Sequence, residues 1–167
     1  DAATSYNKAL EIDSRWVQAL VGVARAFADQ QPAASRKALA AAIAVAPESP
    51  DVWLVTAELK LDEEDVPGAR EALDKVAAAR PGTVEEAALR GAIAYKETGI
   101  ASVEAAVARV REIDPSSALG YRAASEQAAR DYRFDDSAAL ARKATEIDPE
   151  DALSHVALGL ALMRTGD

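Results

Sequence analysis

The 167-residue sequence contains no cysteine and only one histidine, one methionine and one asparagine. Without thiols it can form no disulfide and run no thiol chemistry, which leaves its compartment open. A single histidine cannot build a histidine-rich zinc site, and the scattered serines lack the base that a hydrolytic triad needs. Aromatic residues make up only 5% of the chain, so its core must be thin packing of Ala, Leu and Val. No apolar run approaches the roughly 20 residues that a helix needs to cross a membrane. No signal peptide is visible at the first residues. Glycine-rich phosphate loops have no strand pattern to follow. Basic residues are the minority: 19 Lys and Arg against 28 Asp and Glu give a net charge of −9. That field repels a phosphate backbone, and no Lys/Arg stripe interrupts it, so nucleic acid is not an expected partner. The densest acidic run, Asp62 to Asp65, lacks the spacing of a calcium loop and reads as a solvated turn. No catalytic residue, metal site or cofactor is expected.

What the chain does have is a period. Prolines stand at 47, 81, 115 and 149, each 34 residues from the next, within AVAPESPDVW, AAARPGTVEE, EIDPSSALGY and EIDPEDALSH. An earlier EIDSRWVQAL fits the same frame with Ser14 in place of proline and the following interval one residue shorter. A period of this length marks a helix–turn–helix unit repeated along a stack.

Small residues (Ala24, Ala57, Gly91, Ser125, Gly159) recur where paired helices must cross closely. Larger apolar residues three or four positions away give each helix one buried stripe. A proline cannot continue the helix before it and is well suited to start the next. The pattern predicts ten helices, at about 2–11, 16–29, 33–45, 50–61, 66–79, 84–97, 101–112, 118–131, 135–147 and 152–164. Asp65 before Val66-Pro67 is a suitable N-cap, and Asp135-Asp136 sit where a helix dipole favours anions.

These positions resemble the tetratricopeptide repeat pattern W-x2-L-G-x2-Y, A-x3-F-x2-A, P. His155, Leu158, Gly159 and Leu162 fit its first part in the last repeat, and Leu20, Val23, Ala24 and Phe27 fit it in the first. Trp53 takes the tryptophan position of the second, with Ala57 at the small one. Ala69, Leu73, Val76 and Pro81 complete that repeat, and Ser137, Ala141, Ala144 and Pro149 complete the fourth. The third is degenerate, with Ala87, Arg90, Gly91 and Ala94, then Val103, Val107 and Val110. The resemblance covers the whole chain. It implies an all-α, right-handed α-solenoid of antiparallel helix pairs, a single array over 1–167. Its repeats would be 17–49, 50–83, 84–117 and 118–151, with half repeats 1–16 and 152–167. In that frame the chain opens inside a second helix and stops at a turn leading into another, so the frame implies a segment of a longer array.

The same resemblance implies function. First helices of such pairs line a concave face that receives a protein or peptide segment. Carried over, that face comprises Gln18, Val21, Arg25, Asp51, Leu54, Glu58, Glu85, Ala88, Ala92, Tyr95, Leu119, Arg122, Glu126, Leu153, Val156 and Leu160. Its mixture of apolar centres and charged flanks suits an amphipathic or mixed-charge partner. Co-chaperones of the family grip a C-terminal carboxylate with Lys, Asn and Arg. Arg25, Glu58 and Ala92 stand at those places here, so that clamp is not expected. Trp16, at the entrance of a first helix, reads as packing near Ala9 and Leu10 or as an exposed anchor. His155 reads as packing toward a following helix.

A second resemblance links Asp131 to Ala138, EIDPEDA and LMRTGD to repeat regions of large bacterial proteins, some with a zinc-peptidase-like domain after the array. It implies the alternative of a structural spacer or regulatory arm of a larger enzyme. The half repeats also imply head-to-tail self-association through exposed apolar ends, with Leu158, Leu162 and His155 uncovered at one of them.

Overall fold

A computed structural model describes residues 2–166, and every regular element in them is helical. The order is α1 (Ala2–Ile12), α2 (Val17–Ala26), α3 (Pro32–Val45), α4 (Pro50–Asp62), α5 (Val66–Ala79) and α6 (Val84–Thr98), then a 3-10 turn (Ile100–Ser102). The remaining helices are α7 (Val103–Ile113), α8 (Leu119–Arg130), α9 (Phe134–Ile147) and α10 (Ala152–Thr165). The fold is an α-solenoid type of antiparallel helix pairs, and the residues form two compact units, Asp1–Pro81 and Gly82–Asp167.

In the first unit α2 pairs with α3 and α4 with α5, while α1 lies against α2. Leu20, Val23, Ala24, Ala42, Val52 and Val55 form one buried cluster. Ala57, Ala69, Leu73 and Val76 are fully buried where α4 crosses α5. In the second unit α6 pairs with α7 and α8 with α9, α8 packs on α6, and α10 packs on α9 and α8. Its core is alanine-rich: Ala118, Ala124, Ala128 and Ala144 surround Tyr95, Tyr121, Val107 and Leu140.

The small positions have a physical reason. A Cβ on Gly91 would lie 2.9 Å from the Cβ of Ala106, so only glycine admits α7 at that distance. At the equivalent crossings a buried serine ties the pair together. Ser35 donates to the Ala24 carbonyl (2.7 Å), and Ser125 donates to the Ser137 carbonyl (2.9 Å).

Prolines divide into two jobs. Pro47, Pro81, Pro115 and Pro149 each follow the residue that caps the C-terminus of a helix. Pro32, Pro50 and Pro67 occupy first-turn positions of α3, α4 and α5, where a missing N–H costs no helical hydrogen bond. Asp65 caps α5 through the Gly68 N–H (2.9 Å) and also pairs with Lys60 (2.9 Å), so part of the acidic run is a helix start.

Two expected boundaries shift. The second helix ends at Ala26 rather than 29, because its last turn tightens and Ala28 donates to the Arg25 carbonyl. The seventh starts at Val103 behind a 3-10 turn, because Gly99, at φ 79° and ψ −164°, breaks from α6 in a region open mainly to glycine.

Candidate functional site

The first-helix face of the first unit holds a cleft of about 480 Å³ between α1, α2 and the start of α4. Its wall includes Tyr6, Val17, Gln18, Val21, Gly22, Arg25, Ser49 and Asp51. Gly22 explains how it forms. A Cβ there would come within 2.5 Å of the Tyr6 ring, so the glycine lets that ring lie directly on α2. Apolar surface thus lines the interior, and polar groups stand around the mouth.

Two ion pairs set those polar groups. Arg25 donates to both carboxylate oxygens of Glu58 at 2.7 and 2.8 Å, and this raises its pKa further. Arg80 donates to Asp51 at 2.7 Å. Both pairs are largely solvent-exposed, so they orient side chains more than they stabilise the fold. Of the four residues, Arg25 and Asp51 line the cleft.

Of the face residues expected from sequence, Gln18, Val21, Arg25 and Asp51 line this cleft, and Glu58 joins it through Arg25. Leu54 does not, because its side chain is buried in the core. Val21 is also mostly buried and contributes only to the floor. Sequence reasoning missed Tyr6 and Gly22. Tyr6 sits on a second helix, outside the face, and Gly22 lies beside Val21 without a distinguishing neighbour.

The second unit departs further from expectation. Ala88, Ala92 and Tyr95 are buried rather than open, because α8 packs over that row of α6. The Tyr95 hydroxyl donates to Asp136 on α9 (2.8 Å), and burial together with that carboxylate pushes its pKa up. Glu85 and Glu126 are exposed and Leu119 is half-buried. Arg122 is held by Asp151 at 2.9 and 3.1 Å, a link from α8 to α10. Burial pushes Asp151 up, but the Ser154 hydroxyl, Arg122 and the Leu153 N–H outweigh it and hold its carboxyl below the usual range. Leu153, Val156 and Leu160 remain exposed.

Two residues weighed from sequence also find their places. Trp16 is the residue preceding α2 and is 48% exposed, so its ring is only partly packed. His155, read as packing toward a following helix, stands on α10, the last described helix. Its exposed ring lies with Nε2 2.8 Å from the Pro149 carbonyl. Trp53, at the same repeat position, donates Nε1–H to the Pro47 carbonyl at 2.6 Å. The parallel makes Nε2–H donation the matching arrangement in His155. Leu158 and Leu162 are half-buried, and the fully open residues on α10 are their neighbours.

A smaller cleft of about 380 Å³ lies at the α8–α9 turn, lined by Tyr132, Arg133, Phe134, Asp135, Asp136, Arg164 and Thr165. Tyr132 is 83% exposed and holds φ 59°, a left-handed conformation that Gly166 takes at the same repeat position.

Neither a family model nor a curated protein matches the sequence. Solved structures do match it. A thermophilic TPR protein of Thermus thermophilus aligns with a TM-score of 0.69 at 18% identity, covering 96% of this chain and 89% of that one. The chain has the tetratricopeptide repeat fold. YrrB, a TPR protein described as having an unusual peptide-binding site, aligns at a TM-score of 0.50 and 21% identity, over 93% of this chain and 80% of its own. The human IFIT1 dimer with m7Gppp-AAAA aligns at 0.63 and 15%, over 98% of this chain and 42% of that one. One fold thus carries different ligands, so the ligand class must come from this chain's own residues.

Proposed function

We propose that this chain is a non-catalytic scaffold that binds a protein or peptide segment, with the α1–α2–α4 cleft as the seat. The observation that carries this reading is the cleft itself. It has an apolar floor and Tyr6 wall, and a rim where Gln18, Arg25 and Asp51 can pair with a peptide backbone or a charged flank. An occupant of that kind is a short segment with an apolar anchor and charges of both signs beside it. The acidic field of the chain speaks against a nucleic acid here. The one histidine, facing a backbone carbonyl, offers no base to a neighbouring nucleophile.

Peptides selected by display on the wild-type chain provide the test, with affinity measured by calorimetry. Gln18→Ala with Arg25→Ala should weaken them about tenfold or more, the loss of one or two rim hydrogen bonds. Arg142→Ala on α9, which does not line the cleft, should leave them unchanged. Equal loss in both variants, with circular dichroism intact, rejects the cleft as the seat.

A further inference from the structure

We propose that the turn between α8 and α9 is a docking point for an arginine side chain of a partner protein, received between the ring of Tyr132 and the carboxylate of Asp135. The first sign is a residue in a costly place. The Tyr132 N–H donates to the Ala129 carbonyl and the Arg133 N–H to the Ala128 carbonyl, at 3.1 and 2.8 Å. This paired closure ends a helix with a left-handed residue that is usually glycine. Tyr132 holds the position at φ 59° and is 83% exposed. A bulky side chain is strained there, and this one gains little packing in return. Among the described residues its ring contact is with Phe134, edge-on at 6.1 Å and 81°. Glu64 takes the same conformation two repeats earlier, at φ 62°, so the turn itself does not call for an aromatic ring.

The charges of the turn give an independent sign. Asp131 accepts from Lys96 (2.8 Å), and Arg133 donates to Asp136 (2.6 Å). Asp135 is exposed and pairs with no cation among the described residues. The rings show the same pattern. In the second unit Arg133 stands over Tyr95, Lys143 over Tyr121 and Arg164 over Phe134, at 5.3, 5.3 and 5.8 Å. Among the described residues no Lys or Arg stands over Tyr132. Tyr132 and Asp135 border the same small cleft, so one incoming side chain can meet both. A guanidinium can stack flat on a ring while its N–H fork reaches a carboxylate, which a compact ammonium does less well. Arg164, the other cation along that cleft, lies on Phe134 and makes no ion pair with Asp135. The chain's net charge of −9 also draws in a positive group.

The exposure belongs to the repeat position. Thr98 and Ala101 stand at the places of Tyr132 and Asp135 one repeat earlier, and both are exposed although the α8–α9 turn follows them within the same unit. Glu64 and Pro67, two repeats earlier, are exposed as well. Only the fourth repeat sets a ring and an unpaired acid at these two places. The site rests on the reading of the chain as a protein-binding scaffold, yet it shares no residue with the α1–α2–α4 cleft, so either can fail alone.

N-acetyl-arginine amide, a guanidinium without a carboxylate, is the probe, and N-acetyl-glutamine amide is its neutral control. Titrated into the isotope-labelled chain at constant ionic strength, the arginine probe should shift the amide signals of residues 132–136 to saturation. A Kd on the order of 10 mM is expected for one exposed side-chain contact. The glutamine probe should leave those signals in place. Tyr132→Leu and Asp135→Asn change exposed residues, and each should weaken the arginine probe about threefold or more. Glu64→Ala, which removes an acid at the ring's repeat position in the first unit, should not. Equal shifts from both probes overturn the proposal, as does equal loss in Glu64→Ala and Asp135→Asn, because general charge attraction then accounts for the binding. Tyr132→Gly suits the left-handed turn, so it should lose the probe yet melt no lower than the wild type. A clear drop in its melting temperature makes the ring a packing residue and also overturns the proposal.

Discussion

Val52, Val55, Leu73 and Val76 fill the interior around α4 and α5, all fully buried, whereas α8 and α9 bring Ala124, Ala128, Ala141 and Ala144 to the same depth. Alanine leaves volume between helices, and in the second unit Tyr95 and Tyr121 occupy it. A buried tyrosine brings a hydroxyl that must find a partner. Tyr95 reaches Asp136, and Tyr121 donates to Glu104 at 2.7 Å, which Lys143 also holds. The first unit is thus held mainly by apolar contact without direction. The second adds directional pins, several ending on carboxylates. The same repeat can be filled either way, but only the second way ties packing to protonation.

The comparison can be broken most forcefully at Leu73. Leu73→Ala should cost about 2–5 kcal/mol, because a fully buried side chain leaves a cavity behind. Trp16 and Trp53 both lie in the first unit, so the urea transition read by tryptophan fluorescence should move to lower denaturant. An unchanged midpoint would mean that apolar packing around Leu73 does not hold the first unit together.

Two glycines sharpen it next. Gly91→Ala should cost about 1–3 kcal/mol by pushing α6 from Ala106. Gly159→Ala, at the same repeat position but open, should stabilise by up to about 1 kcal/mol through helix propensity alone. Thermal melts of the two variants should therefore move in opposite directions.

Tyr95→Phe tests the pins. Losing the bond to Asp136 should cost about 1–2 kcal/mol, seen in the helical signal, while the tryptophan transition stays in place. The smallest effect is that of pH. Asp151 and Glu104 titrate below their ordinary values, Glu104 because Lys143 and the Tyr121 hydroxyl favour its charged form. Depressed acids stabilise above their unfolded pKa of about 4, and that share is lost as pH falls through the folded value. Tyr121 is pushed up to about 12 by burial and Glu104. Its share is present below the unfolded value of about 10 and is lost as pH climbs from there toward 12. Protection factors for amide exchange in α8 to α10, taken relative to the intrinsic rate at each pH, should fall toward acid, and the phenolate absorbance of Tyr121 should lag behind that of free tyrosine. In the first unit Asp65 is also lowered, by Lys60 and the Gly68 N–H, but it is solvated and adds little.

The helices were legible because the chain states them redundantly. The prolines at 47, 81, 115 and 149, the small residues at the crossings and the apolar stripes all carry one period. The exceptions sit where a single glycine or a tightened turn decides, at Gly99 and after Ala26. The site was half legible. Gln18, Arg25 and Asp51 are polar residues at repeat positions, and the frame alone points to them. Tyr6 was not, since its contact with Gly22 depends on how α1 lies across α2. Nor was the burial of Ala88, Ala92 and Tyr95 visible, because a face position and a seam position share the same spacing along a first helix.

The alanine-rich interior of the second unit has a calorimetric consequence. Heat capacity rises when apolar surface meets water and falls when polar surface does. Ala124, Ala128, Ala141 and Ala144 expose little apolar area on unfolding, while Ser125, Gln127 and Ser137 expose polar atoms. The heat-capacity increment per residue should therefore be smaller there than in the first unit, and free energy should change more gently with temperature. Such a unit should have a broad, low stability curve, losing less on cooling than a leucine-filled one and gaining less at its best temperature.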